Sequence, residues 1–421
     1  MGTPPSDEPG EPAPADHPDR PSAGIDPEAT IELLQELVRI PSPYFEEAEI
    51  GAFVFDWLAE RGLDPEYHHV SEPAVTGFEG DNVVTGLEGT DPAAPCVLLN
   101  AHMDTVQIVE GWAEDPFSGR IEDGRLYGQG ACDMKGGLAA AMMAFAALAA
   151  GTDDSDRRGD VLFTAVVDEE GPFGLGTDAL IRDGLVEDCD AAIVPEPGPI
   201  LAQEPVENPA LLLGARGRFL LEIEVTGEAA HGSRPERGRN AVVAASKIAA
   251  AIDSMPVGSH PELGRGSVCP LRIEGGSETL SVPESATLLV DRHVVLGETQ
   301  ADVLSEAESL VGSLGLDADV SVRLRDAPEP EMRYGPYVTD PEEPVVGALA
   351  AAAREQAGRE PDVGYFSSVG DVNYLGDRAG LPTVILGPDG GNIHGAGEYV
   401  ETDQVVDVAR ILADGIARLI G

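Results

Sequence analysis

Seven residues of types that hold metals or move protons fall in five short stretches of this chain. His102 and Asp104 lie two apart, just past the apolar run Val97–Ala101. Asp133 sits in a loop of small residues between Gly130 and Gly136-Gly137. Glu169 and Glu170 are adjacent and follow the apolar run Asp160–Val167. Glu196 is held between Pro195 and Pro197, and His394 lies in the Gly-rich stretch Gly390–Glu398.

Each stretch has a plain reading beside the chemical one. His102 fits a satisfied histidine at a capped strand end. It equally fits a metal ligand whose far nitrogen is held by Asp104, because residues i and i+2 of an extended segment face the same side. Asp133 suits a helix N-cap as well as a ligand. Glu169-Glu170 reads either as a solvated acidic turn or as one ligand beside one proton acceptor. Two carboxylates at the end of a buried strand are costly unless charge-compensated. Glu196 fits a Pro-rich turn or a fixed ligand, and His394 a mobile loop or a ligand. Together they supply two imidazoles and three carboxylates at strand ends, where open α/β sheets form sites. That donor set suits a pair of zinc ions about 3.5–4 Å apart with one carboxylate bridging. Glu169 is then free to act as a general base.

The elements that would position these residues follow from periodicity. Asp26-Pro27 opens a helix with Ile31, Leu34, Leu37 and Val38 at helical spacing, and a second helix spans about Glu46 to Arg61. Strands are predicted at Glu66–Val70, Asn82–Leu87, Cys96–Ala101, Arg125–Tyr127, Asp160–Val167 and Asp190–Val194. Helices are predicted at Met134–Ala150 and Gly174–Arg182. Alternating strands and helices imply a mixed, largely parallel sheet with helices on both faces. From about Arg216 the order becomes β-α-β-β-α-β, ending near Leu324, which is an inserted ferredoxin-like α+β unit. The α/β pattern resumes after Asp340, with a helix at Glu343–Gly358, strands at Asp362–Tyr365 and Thr383–Leu386, and a closing helix from Asp403 to Ile420. The expected domains are a disordered acidic, Pro-rich segment over 1–24, a discontinuous metal-binding domain over 25–214 and 330–421, and the insert over 215–329.

Composition narrows the partners. The formal charge is −50, from 26 basic and 76 acidic residues, and only Lys135 and Lys247 are lysines. Such a field repels nucleic acid and anionic membranes, so neither is an expected partner. The acidic residues are spread along the chain, which reads as adaptation to high salt. Four cysteines without a CxxC pair read as reduced, mostly buried residues of a cytoplasmic protein. The apolar stretch Gly136–Gly151 is short for a bilayer span and reads as a core helix.

At these residues the chain resembles the two-zinc metallopeptidase family of succinyl-diaminopimelate desuccinylase, acetylornithine deacetylase, aminoacylase-1 and carboxypeptidase G2. The resemblance implies that His102 and Glu196 hold one metal, Glu170 and His394 the other, and Asp133 both. It implies two divalent ions, most commonly zinc, with cobalt or manganese as alternatives. Glu169 would be the base, Asp104 the residue orienting His102, and the Asp133–Met134 peptide would be cis. Ala230-His231-Gly232-Ser233-Arg234-Pro235 resembles the family's lid motif, whose histidine stabilises the oxyanion, often in the partner subunit's site. His231 would be that group, and the insert would be the lid and the homodimer contact. Arg292 falls where the family places an arginine on the substrate carboxylate. Leu280 stands where many relatives carry an asparagine. The implied activity is hydrolysis of an amide bond in N-acyl amino acids or short peptides, with carboxypeptidase or dipeptidase activity, or a non-catalytic metal-binding homologue, as the alternatives.

Overall fold

The structure, a computed structural model, describes residues 20–151, 157–329 and 332–421. Its centre is a nine-stranded mixed sheet. In space the strands run Glu66–Glu72, Phe78–Leu87, Asp160–Val166, Cys96–His102, Ala191–Val194, Thr383–Ile385, Ala210–Ala215 and Tyr337–Val338, with Asp362–Phe366 also paired to Ala210–Ala215. The middle is parallel: Cys96–His102 lies between Asp160–Val166 and Ala191–Val194, and Thr383–Ile385 continues alongside. These inner strands are near-continuous apolar runs, as strands covered on both faces must be.

Local signals account for the covering helices. Pro27–Arg39 starts at Asp26, whose side chain accepts the Glu28 N–H at 2.9 Å, and stops before Pro41. It buries Leu33, Leu34, Leu37 and Val38, and each such leucine contributes about 1.5–3 kcal/mol by leaving water. It packs with Gly136–Gly151 and the closing helix Thr402–Ile420, which in turn packs on Pro344–Ala357. Ala48–Ala59 and Leu175–Arg182 lie against Phe78–Leu87 and Glu66–Glu72.

A second sheet has the order Ser267–Gly275, Ser285–Val294, Gly217–Thr226, Asp319–Leu324, every pairing antiparallel. With helices Ala241–Ala251 and Gln300–Ser313 it forms an apolar cluster of its own around Leu221, Ile223, Leu288 and Val290. A third, small antiparallel sheet joins Gly390–Gly391, Tyr399–Glu401, Arg125–Tyr127 and Arg120–Glu122. It ties the loop of His394 to the strand that leads into Asp133.

Three details depart from the sequence reading. Of the segment expected to be disordered, residues 1–19 lie outside the described residues, but Pro21–Gly24 forms a 3-10 turn. There the Ser22 hydroxyl donates to Asp414 at 2.8 Å, so the closing helix orders the end of that segment. Cys132 and Cys189 are buried, but Cys96 is half-buried and Cys269 exposed. The Ala210–Ala215 strand and the helical turns of Asp371–Arg378 are additional to the predicted elements.

Candidate metal centre

The parallel register brings the site residues to one edge. His102 pairs with Val166, and Glu169 and Glu170 follow within four residues. Val194 pairs with Ile385, and Glu196 lies two residues on. All emerge at the carboxyl ends of neighbouring strands. Helix Gly136–Gly151 delivers Asp133 from its N-terminal side, past Gly130, whose φ of 71° is left-handed. Gly137 permits a close crossing: a Cβ there would lie 1.9 Å from the Pro195 carbonyl oxygen, beside Glu196.

Asp133 is central. Its Oδ1 lies 3.4 Å from His102 Nε2, and its Oδ2 lies 3.4 Å from His394 Nε2. Glu196 Oε1 is 3.3 Å from the same His102 nitrogen, and Glu170 Oε1 is 2.9 Å from that of His394. Two half-sites thus share one carboxylate. Glu169 Oε2 stands 3.9 Å from His102 Nε2, at the border of the first. His102, Glu169 and Glu196 present ligand atoms within 4.8 Å of one another, as do His102, Asp133 and Glu170. A cleft of about 260 Å³ opens on Asp133, Glu169, Glu170, Glu196 and His394, lined also by Phe366, Ser368 and Ile393. The Asp133–Met134 peptide is cis. His394 has a left-handed φ of 58° and Asp168 one of 60°, conformations that cost of order 1–3 kcal/mol and gather at functional sites.

The electrostatics describe a site short of positive charge. Burial and the Asp133 charge push Glu196 up to about 8, against the pull of His102. Burial and Asp133 likewise raise Glu170 to about 7, with His394 opposing. Burial raises Glu169 well above the usual carboxylate range, His102 opposing and Glu196 and Glu170 adding to it. Hydrogen bonds to Asp133 and Glu170 lift His394 to about 11. Burial works against a charged Asp133, but the two histidines outweigh it and hold the carboxyl below its ordinary range. Three buried carboxylates that resist ionising beside two imidazoles are relieved when divalent cations take the protons' place. The donor set therefore fits a two-metal site, with His102, Asp133 and Glu196 on one ion and His394, Asp133 and Glu170 on the other.

The supporting shell differs in part from the sequence reading. His102 Nδ1 lies 3.0 Å from the Asp104 backbone carbonyl, and the Asp104 side chain is further, at 3.4 Å. The Asp104 carboxylate also accepts the backbone N–H groups of Glu169 at 3.1 Å and Glu170 at 2.9 Å. Glu398, which closes the His394 loop and which the sequence reading did not single out, is buried and accepts the N–H groups of Gly130, Cys132 and Asp133. Glu47 accepts the Asp168 N–H at 3.1 Å, and buried Lys135 donates to the Ile40 carbonyl at 2.7 Å.

Two expected site residues lie elsewhere. His231 is exposed, with Nδ1 2.8 Å from the Ser233 hydroxyl, and it does not line the cleft of its own chain. Arg292 corrects the reading outright. It is fully buried in the second sheet's core, paired with Glu298 and the His293 carbonyl, and has no surface to offer a substrate.

The family model for peptidase family M20/M25/M40 matches residues 98–418, and the chain belongs to this family of hydrolytic enzymes. Succinyl-diaminopimelate desuccinylase of Methylobacterium nodulans is 27% identical over 404 residues, which span 91% of this chain and 93% of the relative. Aminopeptidase PepT of Bacillus cereus shares the fold with a TM-score of 0.71 at 24% identity, over 94% of this chain and all (100%) of that one. The YXEP protein of Bacillus subtilis, described as a dinuclear metal-binding peptidase, superposes with a TM-score of 0.67 at 16% identity, over 94% of this chain and 98% of that one.

Proposed function

We propose that this hydrolase is a two-zinc deacylase that cleaves the amide bond of N-acyl amino acids or short peptides with a free carboxylate. One observation carries the reading: Asp133 turns one oxygen toward His102 and the other toward His394. Held by His102, Asp133, Glu196, Glu170 and His394, a metal pair would supply Lewis acidity for the amide carbonyl and for a water. Glu169, at the border of the His102 half-site, is placed to take a proton from water and return it to the leaving nitrogen. Asp104 fixes the backbone of Glu169 and Glu170, so base and ligand keep one spacing.

Several features support a homodimer acting through the second sheet. Among the described residues Ser267–Gly275 is an edge strand paired on one side only, with Leu271 and Ile273 exposed on it. His231 is exposed, with Nδ1 on Ser233, which suits donation of an oxyanion-stabilising group to the partner's cleft. Arg234 and Arg237, exposed beside it, replace Arg292 as candidate anchors for the substrate carboxylate. Unpaired cysteines support a cytoplasmic location, and the charge of −50 supports a high-salt one.

The test is hydrolysis of a panel of N-acetyl and N-succinyl amino acids and dipeptides at high salt, by chelated protein given zinc, cobalt or manganese. N-acyl amino acids turned over fastest with zinc support the reading. Activity confined to dipeptides, or independent of added metal, contradicts it.

A further inference from the structure

Two chain crossings join the second sheet to the central core, and they run side by side. The Arg218 N–H donates to the Tyr334 carbonyl at 2.8 Å, and the Arg325 N–H donates to the Leu220 carbonyl at 2.8 Å. Between these crossings and the loop after Glu170 lies a cavity of about 340 Å³. That is within the size range of small-molecule sites, roughly 300–1,000 Å³. It shares no lining residue with the metal cleft.

Its walls combine aromatic surface with positive charge. Phe173, Tyr334 and Tyr374 are aromatic, and Arg218, Arg325 and Arg333 are cationic. The Arg218 guanidinium lies 4.8 Å from the Tyr334 ring centroid, and that of Arg325 lies 5.7 Å from the Phe173 centroid. Among the described residues, none of these three side chains forms an ion pair or a hydrogen bond. Among the described residues, two carboxylates also line the cavity, those of Asp326 and Glu329. Asp326 lies 3.3 Å from Arg323, which Glu222 and Glu224 share, so among the described lining residues three guanidinium groups face two carboxylates. In a chain of charge −50 such a local cationic excess stands out. Guanidinium forks match a carboxylate with two parallel hydrogen bonds, and rings beside them suit an apolar body.

We infer that this hinge cavity binds a small organic anion: a carboxylate on an aromatic or apolar body, at a site separate from the metal cleft. Arg218 and Arg325 hold the carboxylate, and Phe173 and Tyr334 cover the body. The cavity's walls come from both cores and from the loop that bears Glu169 and Glu170, since Phe173 follows Glu170 by three residues. A bound anion would therefore touch both cores and the start of that loop.

The test is calorimetric titration of benzoate, with neutral benzamide beside it, into the metal-loaded full chain. Benzoate is expected to bind once per chain and at least about tenfold tighter than benzamide, as a charge-assisted contact should. Arg218→Gln with Arg325→Gln should weaken benzoate about tenfold or more while two metals remain bound. Arg325→Gln with Arg333→Gln, at two exposed positions, gives the same readout without touching the packed part of the hinge. Glu196→Gln, in the metal cleft, should leave benzoate binding in place. Equal affinity for benzoate and benzamide, or arginine variants that bind as the parent does, would overturn the inference. So would loss of benzoate binding in Glu196→Gln alone, which would assign the anion to the metals.

Discussion

Glu398 accepts the backbone N–H of Asp133 at 3.1 Å, joining the far end of the chain to the carboxylate both half-sites share. The same side chain accepts the N–H groups of Gly130 and Cys132, each at 2.9 Å. A buried glutamate thus fixes the whole turn that presents Asp133. Glu398→Gln keeps the shape but turns one acceptor into a donor facing an N–H. The expected loss is about 10–100-fold in metal affinity, the usual cost of disturbing a ligand's support. Competition against a zinc-chelating dye measures it.

The two aspartates of the site separate by metal stoichiometry. Asp133→Asn removes the charge between His102 and His394, and the chain should then hold fewer than two ions at saturating zinc. Asp104→Asn disturbs the Glu169 and Glu170 backbone but removes no metal contact. It should keep two ions with affinity lowered about tenfold. Elemental analysis after dialysis distinguishes the two.

Gly137→Ala tests the crossing between the Asp133 helix and the Glu196 loop. The new methyl meets the Pro195 carbonyl oxygen at 1.9 Å, so helix and loop must part. Overpacking of this kind costs about 1–3 kcal/mol, and here it also separates two ligands of one ion. A lower melting temperature and weaker zinc binding should appear together.

The metal-free protein should lose stability as pH rises. Glu170 stands at about 7 and Glu47, Glu196 and Glu398 at about 8, all above the ordinary 4.5. Between about pH 4.5 and 8 the folded chain therefore binds more protons than the unfolded chain, and stability falls with rising pH. His394, at about 11 against 6.5, acts with the same sign above pH 6.5. Asp133 acts in the opposite sense, but only below its ordinary range. Melting of chelated protein at pH 5.5 and pH 8 should show the higher temperature at pH 5.5. Zinc binding at pH 7 should release protons, seen as a calorimetric heat that varies with the buffer's ionisation enthalpy.

The metal-site residues were legible because each stands at the end of an apolar run or in a glycine loop, and parallel strands collect such ends at one edge. Their supports were not. Nothing local marks Glu398 as buried, and the Asp104 side chain finds its partners some 65 residues away. Arg292 shows a signal misread. On Ser285–Val294 it shares its face with Leu288, Val290 and Val294, all buried, so alternation already pointed it inward. Three consecutive leucines likewise marked Ala210–Ala215 as an inner strand. The end of the N-terminal segment is ordered by Asp414, a contact no local pattern contains.

The central claim is that Glu169 moves the proton while the other carboxylates hold metal. Glu169→Gln keeps the shape and removes the proton acceptor. Turnover of the best N-acyl substrate should fall by at least about 100-fold, within the span general-base removal commonly costs. Two metal ions per chain should remain bound in the same preparation. A Glu169→Gln protein that is fully active with both ions in place would contradict the account.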